Sequence, residues 1–251
     1  MANLVALDSQ THRNLRVVPR PTRECAGFNV VSVIPLEFPR LLAHYPIFFT
    51  KSAQSGRFEP AALLGFQRQE NLFFVNDHWD VAYVPLQIQR QPFSLLPRPG
   101  AGSAGGQPSA DVAIDLDSSN IQTQEGERLY LDEGGPSKFL QDITSMLAAL
   151  VAGSREAYAF TSRLAELNLI EPVRIDVEFV DCSEAKLEGL YWIAAAALKA
   201  LPAAELAQLR DRGFLEWLYF QMASVSHVSG LVARKNQLLS GVTAARRPAG
   251  A

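Results

Sequence analysis

Residues 136–154 read PSKFLQDITSMLAALVAGS, and they separate two parts of the sequence that differ in character. Ser137 follows a proline and is placed to cap the first turn of a helix, which Gly153 and Ser154 would end. Apolar residues recur at helical spacing between these limits: Phe139, Ile143, Met146, Leu147 and Leu150. The stretch therefore predicts a helix at the point where a strand-rich half gives way to a helix-rich half.

The half before this helix contains β-branched and aromatic runs that predict strands. These strands are expected at 28–34, 47–50, 61–66, 71–75, 82–89 and 111–116. Four polar residues separate the third run from the fourth, which predicts a hairpin. Pro85 lies inside the fifth run and indicates an edge strand or a bulge, because proline has no N–H to donate to a neighbouring strand.

The half after this helix is expected to contain three more helices and one hairpin. The hairpin is expected from the alternating stretch Val173–Val180 and its partner Leu187–Ile193. The helices are expected at 157–168, 202–212 and 214–239, the last with a break near Ser229-Gly230. Together the two halves predict an α+β fold, with a mainly antiparallel sheet against which the later helices pack.

The expected domain organisation has three parts: an N-terminal arm, one domain that contains a flexible loop, and a tail. Residues 1–27 are polar and contain two prolines, so we expect an N-terminal arm, and residues 28–240 are expected to form a single domain. Glycines and prolines concentrate between residues 97 and 110, which predicts a flexible loop inside that domain. A disordered tail is expected at residues 241–251.

Composition excludes several classes of protein. The 251 residues carry a net charge of −3 with no basic cluster, so no nucleic-acid partner is expected. The most apolar run, Trp192–Leu201, is half the length of about 20 residues that a membrane span needs, so no membrane insertion is expected. Residues 1–20 lack the apolar core of a secretory signal. We expect a cytoplasmic protein, and the sequence makes no prediction of its oligomeric state.

The two cysteines, Cys25 and Cys182, lie far apart and outside any metal-binding spacing. A disulfide between them is compatible with the sequence, but the sequence favours two free thiols in a reducing cytosol.

Several short motifs, in the order in which they occur along the chain, resemble those of the SapC-like family of bacterial proteins over about residues 3–240. The motifs are Leu7–His12, Glu37-Phe38, Tyr45–Ile47, Leu63–Phe66, Glu70–Phe73, Trp79–Phe93, Ile114–Asp117, Gly126–Leu129, Leu169–Pro172, Leu187–Tyr191 and Lys235-Asn236. The family takes its name from an association with surface-layer proteins. The resemblance implies a cell-surface or protein-modification context, and it implies no catalytic residues.

The motif Trp79–Phe93 contains the candidate binding residues Trp79, Tyr83 and Arg90. Tryptophan and arginine are enriched where protein partners bind, and the expected edge strand at 82–89 would offer unpaired backbone groups to an extended peptide. These three residues are therefore predicted to bind a peptide or protein partner. The alternative interpretation is a packed corner of the core, with Arg90 paired to an internal carboxylate.

A second candidate site is a metal centre. His78 and Asp80 form a His-x-Asp pair, and with His227 they would make the ligand set of an iron(II) oxygenase. Arg234 would then pair with a carboxylate of the cosubstrate 2-oxoglutarate. Against this hypothesis, His227 lies in a segment expected to be helical, and a His-x-acid pair also arises by chance.

The leading interpretation is therefore a non-enzymatic accessory or binding protein, with no cofactor, that recognises a peptide or protein partner. The alternative is an Fe(II)/2-oxoglutarate-dependent oxygenase that uses His78, Asp80 and His227.

Overall fold

The computed structural model describes residues 3–97 and 110–246, of which residues 242–246 are described by their backbone alone. The strands are β1 (Leu4–Ala6), β2 (Arg16–Val17), β3 (Val30–Ser32), β4 (Ile47–Lys51), β5 (Phe58–Leu63), β6 (Phe74–Val75), β7 (His78–Trp79), β8 (Phe93–Pro97), β9 (Ala110–Asp115), β10 (Ile121–Gln122), β11 (Glu127–Arg128), β12 (Ile170–Glu178) and β13 (Glu184–Ile193). The helices are α1 (Phe38–Leu41), α2 (Leu86–Gln89), α3 (Lys138–Glu166), α4 (Ala195–Lys199), α5 (Ala203–Asp211), α6 (Phe214–Ser224) and α7 (His227–Arg246), and 3₁₀ turns occur at Arg23–Gly27 and Pro35–Glu37. Antiparallel sheets and a helical C-terminal region confirm the predicted α+β class.

The chain divides into two compact units. The first unit comprises Met1–Thr22 and Leu86–Ala152, and the second comprises Arg23–Pro85 and Gly153–Ala251. The expected arm at residues 1–27 contributes β1 and β2 to the first unit. The division into an arm, a single domain and a tail stays a prediction, except that α7 continues to Arg246 through the first part of the expected tail. The expected loop at 97–110 lies outside the described residues apart from its two ends.

The first unit contains two three-stranded antiparallel sheets and the first part of α3. The strand order is β1-β9-β8 in one sheet and β10-β2-β11 in the other. Its core is made of buried apolar side chains from both sheets and from α3: Val17, Phe93, Ile114, Leu129, Tyr130, Leu140, Ile143 and Leu147. Ser137 Oγ accepts the Leu140 N–H at 3.2 Å, as expected for the cap of this helix.

The second unit is built on a five-stranded antiparallel sheet in the order β12-β13-β4-β5-β3. The predicted hairpin near residues 173–193 forms β12 and β13, the two strands at one end of this sheet. Helix α6 contacts the sheet through two buried polar residues: Gln221 Nε2 donates to the Ile47 carbonyl at 2.9 Å, and Ser224 Oγ accepts the Ile47 N–H at 2.9 Å. Both backbone groups of Ile47 are therefore satisfied by side chains of one helix.

The predicted hairpin between residues 61–66 and 71–75 is wrong. Strand β5 pairs with β3 and β4, and β6 pairs with β7. The four polar residues between the two runs have a different role, because the Glu70 carboxylate accepts the N–H groups of Phe66 and Gln67 at 2.8 and 3.3 Å. Consecutive buried residues along β5 identify it as a central strand, which needs a partner on each side.

The predicted edge strand at residues 82–89 is also wrong. Residues 86–89 form the short helix α2, and Pro85 directly precedes it. Proline suits the start of a helix because the first N–H groups of a helix have no intrahelical partner. An incoming peptide therefore finds no strand at this position.

Gly153 does not end a helix, because α3 runs without interruption for 29 residues. A Cβ atom on Gly153 would lie 2.5 Å from Ile34 Cδ1. The glycine is needed for the close approach of this helix to Ile34, a buried residue that precedes the 3₁₀ turn Pro35–Glu37. The sequence signal for a helix end was in fact a signal for close packing.

Candidate functional site

Trp79 is positioned by a tight two-stranded hairpin in the second unit. Asn76 and Asp77 link β6 to β7 and both have positive φ angles, 50° and 62°, as the two central residues of the commonest hairpin turns do. Trp79 pairs with Phe74 across this hairpin. Its indole ring lies nearly parallel to the buried ring of Phe73, with centroids 6.4 Å apart and 13° between the planes.

Tyr45 connects Trp79 to Tyr83. Trp79 Nε1 donates to the Tyr45 hydroxyl at 2.7 Å, and that hydroxyl donates to the Tyr83 carbonyl oxygen at 2.5 Å. Tyr45 is fully buried, and its burial raises the pKa of the phenol well above its ordinary value. The hydroxyl therefore stays protonated and can continue to donate and accept.

Glu37 holds the other end of Tyr83. The Glu37 carboxylate is 1% exposed, and it accepts the Ile34 N–H at 3.0 Å and the Tyr83 hydroxyl at 2.9 Å. Burial, and then the charge of Glu37, raise the pKa of Tyr83 above its ordinary range. The exposed guanidinium of Arg40 lies 5.6 Å from the centroid of the Tyr83 ring, within the distance for a cation–π interaction.

These contacts define a surface formed by Arg40, Trp79 and Tyr83, which we call the aromatic surface. Trp79 and Tyr83 are partly exposed and Arg40 is exposed. The Trp79 indole N–H and the Tyr83 hydroxyl bond to groups inside the protein, so the two side chains are held in fixed orientations. The polar atoms of both rings are therefore already hydrogen-bonded within the protein.

Arg90, the third predicted binding residue, belongs to the first unit, whereas Trp79 and Tyr83 belong to the second. Its guanidinium donates to Gln87 Oε1 and to the Phe93 carbonyl, each at 2.6 Å. Burial lowers the pKa of this guanidinium from its ordinary value. Contacts of this kind favour a role in local packing, and partner binding by Arg90 stays a prediction.

The three residues of the predicted metal centre have separate contacts. His78 is exposed, with Nδ1 3.1 Å from the Asn76 carbonyl oxygen, and His227 Nε2 lies 2.6 Å from the Leu42 carbonyl oxygen. Asp80 accepts a hydrogen bond from Arg234. Within residues 3–97 and 110–246, no three His, Cys, Asp or Glu side chains are grouped so that they could hold a metal ion.

Arg234, the residue that the oxygenase hypothesis assigns to 2-oxoglutarate, pairs with a carboxylate of this chain. Its Nη1 donates to Asp80 Oδ2 at 2.6 Å, and its guanidinium carbon lies 4.7 Å from the Phe73 ring centroid. The next residue, Lys235, forms an ion pair with Glu70 in which both side chains are largely buried. Two successive residues of α7 thus fasten the segment that carries Trp79.

Sequence reasoning did not identify Glu37, Arg40 and Tyr45 as parts of this site. The sequence did point to Glu37 and Tyr45, because Glu37-Phe38 and Tyr45–Ile47 are among the motifs that resemble the SapC-like family. Their role became visible only when the fold placed them around Tyr83. Arg40 had no signal in the sequence.

Two further expectations have structural outcomes. Cys25 is buried, Cys182 is exposed, and both are free thiols. In the described part of the chain, no helix combines the length and the apolar character that crossing a membrane requires.

The SapC family model matches residues 7–231 of the chain. The protein therefore belongs to the SapC family, which confirms the resemblance found in the sequence. No curated protein and no solved structure matches the chain.

Proposed function

We propose that this protein is a non-enzymatic binding or accessory protein that recognises a peptide or protein partner through the aromatic surface. The observation that supports the proposal is the position of Arg40 over the ring of Tyr83, whose carbonyl is joined to Trp79 through the Tyr45 hydroxyl. Tyrosine, tryptophan and arginine are the residue types that most often dominate the binding energy of interfaces. The cell-surface or protein-modification context comes from the family resemblance, and a cytoplasmic location comes from the sequence.

Fixed orientation of the rings supports this proposal. The Trp79 N–H and the Tyr83 hydroxyl are bonded internally through Tyr45 and Glu37. A partner that packs on rings held in this way loses less conformational entropy than one that must order them first. The same bonds leave few polar groups on the two rings that a partner would have to satisfy.

Charge supports a more specific form of the proposal. Arg40 is exposed and contacts the ring of Tyr83, whereas the guanidinium of Arg234 is paired with the carboxylate of Asp80. A carboxylate of the partner, next to an apolar or aromatic side chain, would complement this surface. Because α2 stands where the edge strand was expected, we propose docking of side chains instead of addition of a strand.

Recovery and affinity measurements test the proposal. Tagged wild-type protein would be used to recover partners, and the affinity of a recovered partner would then be measured by titration calorimetry. We expect Arg40→Ala to weaken binding by about tenfold or more, as loss of a central interface arginine does. Arg40 is preferred to Trp79 for this test, because truncating Trp79 removes a donor from an internal hydrogen bond.

Arg57 provides a matched control. It is also an exposed arginine of the second unit placed over a tyrosine, 4.2 Å from the ring centroid of Tyr158. Arg57→Ala removes the same charge and the same kind of contact from a different tyrosine, and we expect it to leave the affinity unchanged. Equal affinities for wild type and Arg40→Ala, with both proteins folded, would rule out the aromatic surface as the binding site.

A further inference from the structure

A small cleft lies at one end of the hairpin formed by β12 and β13, within the second unit. It has a volume of about 200 Å³ and is lined by Glu171, Trp192, Ile193, Ala195, Gln221, Met222 and Val225. Most of the lining is apolar, and Glu171 is its one ionisable side chain. None of these residues belongs to the aromatic surface, so the cleft calls for a separate explanation.

The side chains of Gln221 and Glu171 in the cleft lining differ in how many of their polar atoms are hydrogen-bonded within the protein. The Gln221 amide is fully buried and engaged on both sides, because Nε2 donates to the Ile47 carbonyl at 2.9 Å and Oε1 accepts the Ile193 N–H at 3.2 Å. Glu171 accepts one hydrogen bond, from Trp192 Nε1 to its Oε1, at 2.9 Å. Among the described residues, Glu171 has no cationic partner, and its Oε2 accepts no hydrogen bond.

Trp192 stands directly opposite Glu171 in the register of the hairpin, so the two side chains lie on the same face. The hydrogen bond from the indole N–H fixes the ring beside the carboxylate. In the described part of the structure, the Trp192 ring has no aromatic or cation–π contact. Tryptophan is the side chain whose ring attracts cations most strongly.

We propose that this cleft binds a small primary aliphatic ammonium ion, with its nitrogen near Glu171 and Trp192 and its chain along Met222 and Val225. The exposed Glu171 carboxylate, which has no cationic partner among the described residues, and the ring of Trp192 complement the positive charge. The apolar walls complement the chain, and methionine can adapt to irregular shapes. The volume of about 200 Å³ leaves room for a short aliphatic chain.

The test uses the full chain labelled with ¹⁵N and follows the indole N–H signals of its three tryptophans. A Trp192→Phe variant identifies the signal of Trp192 by its disappearance. On titration with n-butylammonium chloride at constant ionic strength, we expect this signal to move in a saturable way while the other two stay in place. 1-Butanol has the same chain without the charge, and ammonium chloride has the charge without the chain, so both should bind at least about fivefold more weakly.

Two variants of β12 separate the cleft from the general charge of the strand. Glu171→Gln keeps an oxygen that can accept the Trp192 N–H but removes the charge, and we expect it to weaken n-butylammonium binding by about fivefold or more. Glu178→Gln removes the same charge from an exposed position outside the cleft lining and should bind like the wild type. Equal binding of 1-butanol, unchanged affinity of Glu171→Gln, or movement of all three indole signals together would each overturn the proposal.

Discussion

The guanidinium of Arg234 donates a hydrogen bond to the carboxylate of Asp80 at 2.6 Å, across 154 positions of sequence. Asp80 follows Trp79 directly, and its backbone N–H donates to the Phe73 carbonyl at 2.8 Å. Arg234 therefore connects α7 to the end of the hairpin that carries Trp79. A residue that first suggested an anionic ligand is explained by an anionic neighbour.

Removal of Arg234 should destabilise the protein more than loss of an ordinary surface ion pair. The Arg234 side chain is 27% exposed, and it also covers the ring of Phe73. We expect Arg234→Ala to lower the free energy of unfolding by about 1–2 kcal/mol, as measured in urea. Arg234→Lys keeps the charge but loses the planar stacking, and about half of that cost is expected.

Arg174 is the control for this prediction, because it forms a 2.9 Å ion pair with Asp176 in which both side chains are more than half exposed. Arg174→Ala should change the unfolding free energy by less than about 0.5 kcal/mol. If Arg234→Ala and Arg174→Ala lower the free energy of unfolding equally, the contact of Arg234 with Phe73 adds no stability.

Loss of one member of the Glu70–Lys235 pair should be costly. The two side chains are 15% and 14% exposed, and Glu70 also binds two backbone N–H groups. Lys235→Met leaves a buried carboxylate without its cation, and we expect a loss of about 2–4 kcal/mol in unfolding free energy. Glu70→Gln combined with Lys235→Met removes both charges and should recover part of that loss. If the double variant loses as much unfolding free energy as Glu70→Gln and Lys235→Met lose separately when added together, the two charges are not coupled.

The raised pKa of Tyr83 predicts a specific dependence on alkaline pH. The ordinary pKa of tyrosine is 10.0, and the folded value lies above it because of burial and the nearby Glu37. The contribution of Tyr83 to the unfolding free energy is thus complete below about pH 10. It decreases above that pH, because the unfolded chain loses the proton first.

Ultraviolet absorbance of tyrosinate can measure this effect at about pH 10.5. In the folded protein, Tyr83→Phe should leave the tyrosinate signal of the wild type unchanged, because Tyr83 is still protonated. In denaturant, the same variant should lose the signal of one tyrosine. A lower signal in the folded variant would mean that Tyr83 ionises as an exposed phenol does.

Gly153 should resist replacement although it lies inside a helix. In an open position, glycine to alanine stabilises a helix by about 0.5–1 kcal/mol. At Gly153, the added Cβ would meet Ile34 at 2.5 Å, so Gly153→Ala should instead destabilise the protein by about 1–3 kcal/mol. Thermal or urea unfolding measures the difference.

Gly230 in α7 is the matched control, because nothing lies within 4 Å of a Cβ built there. Gly230→Ala should therefore be neutral or stabilising. Replacing Ile34 by valine removes the Cδ1 atom, so Ile34→Val should reduce the cost of Gly153→Ala when the two are combined. If Gly153→Ala stabilises the protein as Gly230→Ala does, the packing explanation is wrong.

Local patterns in the sequence were enough to predict the elements that depend on local contacts. The β12–β13 hairpin was predicted from the alternation of Val173–Val180, and the start of α3 from Ser137. Strand β5 was assigned the wrong partner, because pairing depends on which neighbours the whole sheet brings together. Gly153 misled the prediction for a similar reason, since its neighbour Ile34 is 119 positions away in sequence.

The candidate site was predicted only in part. Trp79 and Tyr83 stood out by residue type and by family resemblance, and the structure places both on one hydrogen-bonded network through Tyr45. Glu37 and Arg40 were not identified, because their relation to Tyr83 is created by packing across more than 40 positions of sequence. His78 and His227 were linked by residue type alone, and each bonds to a different backbone carbonyl.

Strand β12 is an edge strand of the five-stranded sheet, so one side of its backbone pairs with no other strand of that sheet. A long unprotected edge strand can act as a template for pairing with other chains, and β12 has nine residues. Pro172 has no N–H to offer to a newcomer, and four of the other residues of β12 carry charges: Glu171, Arg174, Asp176 and Glu178. The same side chains that leave a carboxylate at the cleft therefore also make this edge a poor seed for aggregation.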